Sequence, residues 1–142
     1  MKKKILVVED DVLKSTQIIG FIKSIMNEVD ISKRESLNSA LFEIAKNEYD
    51  LIVLDMSLPT FDNNEAENFQ PYGGLLFLDE VKRKKYSFDV VIVTQYASFG
   101  EGVGEMTFQE IDDMCSEKYP NYKGIIYYLD DSWKKELEKY IL

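Results

Sequence analysis

The chain has 142 residues, 45% of them hydrophobic and 13% aromatic, enough for one packed core and too apolar for a disordered acidic tail. Seventeen basic side chains against 26 acidic ones leave a net charge of −9, which repels phosphate backbones and anionic lipid, so direct contact with nucleic acid or membrane is not expected. Histidine is absent and Cys115 is alone, which excludes an intrachain disulfide and leaves oxygen-only sites as the common way to hold a metal.

MKKKILVVEDD opens like a signal peptide, but its apolar run, Ile5 to Val8, ends in three acids and is too short for a signal core or a membrane span. A cytoplasmic protein is expected. That run reads as a first strand, and Val12, Ile18, Ile19, Ile22, Ile25 and Met26 mark a first helix, with Asp11 as its cap. A weaker strand near Val29 to Lys33 precedes a second helix marked by Leu37, Leu41, Ile44 and Ala45. Leu51 to Leu54 is the third strand, and a helix from about Leu75 follows Gly73 and Gly74. The basic run Lys82 to Lys85 closes that helix, where cations complement the dipole. Val90 to Val93 is the fourth strand, a fourth helix runs from about Thr107 to Lys118, Ile125 to Tyr128 is the fifth strand, and Ser132 to Leu142 is the last helix.

Each strong strand is apolar on both faces, as in a covered parallel sheet. Regular alternation with helices implies a doubly wound α/β fold within a single domain, 1–142. Two connections are longer than this unit needs, near 60–72 and 97–106. The second contains SFGEGVGEM, whose glycines predict a mobile loop.

Two strands end in carboxylates: ILVV runs into Glu9, Asp10 and Asp11, and LIVL into Asp55. Ligands of open α/β sheets bind outside the carboxyl ends of the strands. If the first and third strands are neighbours, about 5 Å apart, their acids share one cleft and raise one another's pKa unless a cation compensates. Oxygen ligands with positions open to water and phosphate favour Mg2+. The simpler reading of strand-end acids alone is that they are solvated and that Asp11 merely caps a helix.

The series ILVVEDD, LIVLDMSLP, the GG before LLFLDEVK, and VVIVT resembles the receiver domain of bacterial two-component response regulators over nearly the whole chain. The resemblance implies a flavodoxin-like (βα)5 three-layer sandwich with a five-stranded parallel sheet of order 2-1-3-4-5. It also implies that Asp55 accepts a phosphoryl group from a sensor histidine kinase or phosphotransfer protein. Glu9 and Asp10 would be the acid pair that holds Mg2+ with Asp55 and the Ser57 carbonyl, Asp10 directly and Glu9 mainly through water. Thr94 would be the switch hydroxyl that turns toward the acyl phosphate. Phosphoryl transfer asks for little more than an in-line nucleophile and positive charge on the equatorial oxygens, which this set supplies.

The pattern departs from that family at the fifth strand, whose end normally carries a lysine followed by proline. Here GIIYYLDD places Tyr128 and Leu129 there. Lys123 lies at the far pole of the strand, more than about 12 Å away at 3.3 Å per residue, and Lys134 is on the next helix. A neutral tyrosine donates one hydrogen bond but carries no charge, so a switch weakened by about 1.5 to 3 kcal/mol is expected. Gln95 stands where receivers usually carry a small residue, and either narrows access or donates to a phosphoryl oxygen.

Three readings follow. One is a phosphorylatable receiver with weakened switching, a signalling domain rather than a turnover enzyme. Another is a pseudo-receiver that acts as a phosphorylation-independent protein interaction module. The third is an Mg2+-dependent aspartyl phosphohydrolase, since LDMS resembles the haloacid-dehalogenase signature, although Ser57 stands where that family has its second aspartate. Cys115 and Trp133 read as packing residues, and Asp130 and Asp131 as favouring the start of the last helix.

Overall fold

The computed structural model describes residues 2–62, 69–70, 72–99 and 106–142. Its central sheet is five-stranded, built from β1 (Lys3–Val8), β2 (Val29–Arg34), β3 (Leu51–Leu54), β6 (Asp89–Thr94) and β9 (Tyr122–Tyr127), in the order β2-β1-β3-β6-β9. All four pairings are parallel. Counting sheet strands alone, this is 2-1-3-4-5, the order implied by the resemblance.

Both faces of the sheet are covered, which explains why the strand sequences are apolar without alternation. One face packs Ile5, Val7, Leu51, Val53, Val91 and Val93 against α1 (Val12–Ile25) and α5 (Trp133–Ile141). The other packs Leu6, Val8, Ile52, Leu54, Val90 and Ile92 against α2 (Leu37–Lys46), α3 (Gly73–Lys84) and α4 (Phe108–Lys118). Cys115 is fully buried in this second layer, where burial and then the Asp112 charge push its thiol up to about 12, so it packs rather than reacts.

Both long connections begin and end in short antiparallel pairs. β4 (Leu58–Pro59) pairs with β5 (Phe69–Gln70), and β7 (Ser98–Phe99) pairs with β8 (Met106–Thr107). The mobility expected of the glycine-rich loop concerns residues 100–105, which lie outside the described residues.

Helix α3 starts at Gly73, two residues earlier than expected, because the glycines let its first turn lie on the loop after β3. A Cβ on Gly74 would stand 2.8 Å from the Asp55 carbonyl oxygen, and one on Gly73 would stand 2.9 Å from the Leu58 Cβ. The Gly74 N–H donates to the Met56 carbonyl at 2.7 Å, which ties the helix to the residue after Asp55. The last sheet strand runs from Tyr122 to Tyr127, starting three residues before its apolar run and ending one before Tyr128, and a Cβ on Gly124 would stand 2.9 Å from the Tyr140 Cζ of α5.

Candidate functional site

Strands β1 and β3 lie side by side with Val8 opposite Leu54, so the residues that follow them emerge together at the carboxyl edge. The main-chain ladder continues past both ends: Glu9 N–H donates to Arg34 O at 3.0 Å and Asp55 N–H to Val8 O at 2.9 Å. This fixes the two side chains in the interior, with Glu9 1% and Asp55 2% exposed. Glu9, Asp10 and Asp55 each offer a carboxylate oxygen within 4.8 Å of the others.

A lysine lies among them. Lys14, the third residue of α1, is 2% exposed, with its Nζ 2.7 Å from Glu9 Oε1 and 3.2 Å from Asp55 Oδ1. The same ammonium donates to the Val93 carbonyl and to Gln95 Oε1, each at 2.8 Å. Local structure brings it there. Asp11 caps α1 by accepting from Lys14 N–H at 3.2 Å, and side chains in a first helical turn lean back toward the N-terminus, here over the strand ends.

The expectation that this edge lacks a cation is therefore corrected. The charge missing from the fifth strand arrives from the first helix. The sequence carries a signal for it across the sheet and not along the strand: Lys14, Ile18 and Ile22 are spaced by four on the buried stripe of α1. The other two lysines considered are elsewhere, Lys123 with Asp89 at 3.8 Å and Lys134 over the Phe21 and Trp133 rings.

One ammonium does not balance three carboxylates. Burial, then the Asp55 charge, raise Glu9 to about 7 against the pull of Lys14. Asp10, partly exposed, is raised to about 6 by burial and then by Glu9. Burial raises Asp55 too, with Lys14 opposing most strongly. Hard oxygen donors this close, with protonation favoured for want of positive charge, fit a small divalent cation such as Mg2+.

The remaining expected site residues border this cluster. Ser57 is buried two residues past Asp55. Thr94 is fully buried at the end of β6, its hydroxyl accepting from Tyr96 N–H at 3.2 Å and its carbonyl from Tyr128 N–H at 2.7 Å. Tyr128 lies at the edge as expected, just past β9, with its ring centroid 5.5 Å from Lys14 Nζ and its hydroxyl hydrogen-bonded to Gln17 of α1. Gln95 accepts from the lysine through its amide oxygen. Trp133 packs on Phe21 and Tyr128, with ring centroids 5.7 and 5.2 Å away. Asp130 accepts from Ser132 N–H at 2.9 Å and so shapes the entry to α5.

No family model matches the sequence. Among curated proteins, the chain is 25% identical over 146 residues to the Detocs response regulatory protein DtcB of Enterobacter cloacae, covering 97% of each. It is 28% identical over 122 residues to the uncharacterized protein y4jR of Sinorhizobium fredii, covering 83% of this chain and 81% of that protein. Among solved structures, the chemotaxis response regulator CheY4 of Vibrio cholerae superposes with a TM-score of 0.70 at 13% identity, and a CheY-like receiver domain of Methylobacillus flagellatus with 0.67 at 14%, each covering 100% of both chains. The resemblance read from the motifs is borne out: the chain has the fold of response-regulator receiver domains.

Proposed function

We propose that this chain is a cytoplasmic signalling receiver that accepts a phosphoryl group on Asp55 with Mg2+ and acts through contacts with other proteins. The observation that carries the proposal is the buried Asp55 carboxylate at a strand end, grouped with Glu9 and Asp10 within 4.8 Å and compensated, among the described residues, by one ammonium. Asp10, Asp55 and the Ser57 carbonyl would hold the ion, with Glu9 acting mainly through water. Bound there, Mg2+ supplies positive charge to the equatorial oxygens of the transferring group.

The protein's own part is placement. An Asp55 oxygen attacks phosphorus in line, the bond from phosphorus to the donor's nitrogen breaks, and the imidazole leaves with the bonding pair, neutral when its other nitrogen carries a proton. Thr94 lies one strand away with a hydroxyl able to turn toward the new phosphoryl oxygens. A protein donor must bring its phosphohistidine to the mouth of the pocket, and that mouth is apolar: Val12 is 61%, Leu13 68% and Leu129 63% exposed. A sensor histidine kinase or phosphotransfer protein with an apolar helical face suits this rim.

Intact-mass measurement after incubation with acetyl phosphate and Mg2+ tests the reading. A single phosphoryl adduct is expected on the native chain and none on Asp55→Ala. Absence of an adduct at saturating donor would instead favour a phosphorylation-independent interaction module, for which the Lys14–Asp55 ion pair would be the permanent state of the site. Continuous phosphate release at enzyme-like turnover would favour the phosphohydrolase.

A further inference from the structure

We infer that Lys14 on α1 is the residue that receives the phosphoryl group's charge in this site, with the Val93 carbonyl and Gln95 as its resting cradle. This rests on the proposed phosphorylation of Asp55 and adds the residue that couples it to the rest of the fold. Four oxygens surround Lys14 Nζ: Glu9 Oε1 at 2.7 Å, Val93 O and Gln95 Oε1 at 2.8 Å, and Asp55 Oδ1 at 3.2 Å. An ammonium has three N–H donors, here given to Val93 O, Gln95 Oε1 and Asp55 Oδ1, and the longest of the three, the one to Asp55, can move while the other two stay in place. Among the described residues no other lysine or arginine is ion-paired with Glu9 or Asp55.

When the Asp55 oxygen forms its bond to phosphorus, the carboxylate charge passes outward onto the phosphoryl oxygens. Lys14 then moves its N–H from the carboxylate oxygen to a phosphoryl oxygen. It keeps all its protons, and no bond to nitrogen is made or broken. The charge-assisted contact that the family places at the end of the fifth strand is made here from the first helix.

That relocation changes where the signal leaves the site. A lysine on the fifth strand would pull on β9 directly, whereas a shift of Lys14 acts on the first turn of α1. One turn further, Gln17 holds the Tyr128 hydroxyl, and beyond it Phe21 packs edge-on against Trp133 at the start of α5. Tyr128 covers both ends of this path, with its ring against the Lys14 ammonium and against Trp133. The chain has one tryptophan, so its fluorescence reports this contact directly.

The test uses beryllofluoride, a phosphoryl mimic for carboxylates, titrated in Mg2+ while Trp133 fluorescence is followed, beside intact-mass measurement with acetyl phosphate. The native protein is expected to bind with a fluorescence change. Lys14→Met should still take the adduct on Asp55, yet bind beryllofluoride about ten- to a hundredfold more weakly and lose the change. Lys14→Gln, which keeps donors without charge, should lose the same amount. The double variant Lys14→Met, Tyr128→Lys should recover most of the affinity, an effect that a merely structural lysine would not show. Wild-type affinity and fluorescence response in Lys14→Met, with the adduct still forming, would overturn the role of Lys14 alone. Failure of the native protein to take any adduct or bind the mimic would overturn the proposed function and this inference together.

Discussion

Two buried glutamates, Glu9 just past β1 and Glu43 within α2, show how the same residue type is made structural or functional by its donors. Glu43 of α2 is 4% exposed and meets a full set of partners: Arg34 Nη2 at 2.6 Å, the Tyr49 hydroxyl at 2.5 Å and Asn47 Nδ2 at 2.8 Å. These contacts, led by the Tyr49 bond, hold its carboxyl below the usual range. Glu9 is as deeply buried but shares one ammonium with Asp55 and is pushed up to about 7. An acid with enough donors locks a fold, while an excess of acids over donors leaves a place for a cation.

The largest expected effect comes from removing the one ammonium. Lys14→Met should cost about 3 kcal/mol in urea denaturation at pH 8 without divalent ions, because it leaves buried carboxylates unpaired. Most of that loss should return at millimolar Mg2+, which binds N and not U. A loss that Mg2+ leaves untouched would mean that the lysine serves packing and not charge.

The pH profile should split the two glutamates by sign. Burial lifts Glu9 to about 7 and Asp10 to about 6, above their ordinary values of 4.5 and 3.8. Their protonated forms are thus favoured by folding, and the stability they lend is complete below about pH 4 and lost as pH rises toward 7. Glu43 is lowered from 4.5, so its contribution is present above that value and lost as pH falls below it. Metal-free protein should therefore weaken between about pH 5 and 8, and Mg2+ should flatten that limb. Glu43→Gln should cost about 1 to 3 kcal/mol at pH 7 and leave the Mg2+ effect unchanged. A stabilisation by Mg2+ that rises as much in Glu43→Gln as in Lys14→Met would erase the contrast.

The smallest effect sharpens the comparison from the helix side. Asp11→Ala removes the cap that accepts from Lys14 N–H and should cost about 1 kcal/mol in urea denaturation. Because that cap sets the turn carrying Lys14, the variant should also loosen beryllofluoride binding a few-fold, whereas a cap lost from α2 by Ser36→Ala should affect stability alone.

The doubly wound fold was legible because both of its signals are local. Runs such as Ile5 to Val8 and Leu51 to Leu54 are apolar on both faces, and residues such as Ile18 and Ile22 keep helical spacing. The acid cluster was legible too, since parallel neighbours must bring the residues after Val8 and Leu54 to one edge. The glycine pair is visible in the sequence, but its reason lies in the fold, where the loop after β3 passes within 3 Å of where a Cβ on either glycine would stand.

What the sequence alone determined was the sheet, its buried faces and the acids at its carboxyl edge, all of which follow from periodicity and from the alternation of strand and helix. Only the tertiary structure decided where the compensating charge comes from. Lys14 precedes Asp55 by 41 positions and Gln95 by 81, and the three meet because α1 covers β1 and its first turn leans back across the strand ends. Side-chain reach across elements is set by packing and register, which no single stretch of chain encodes.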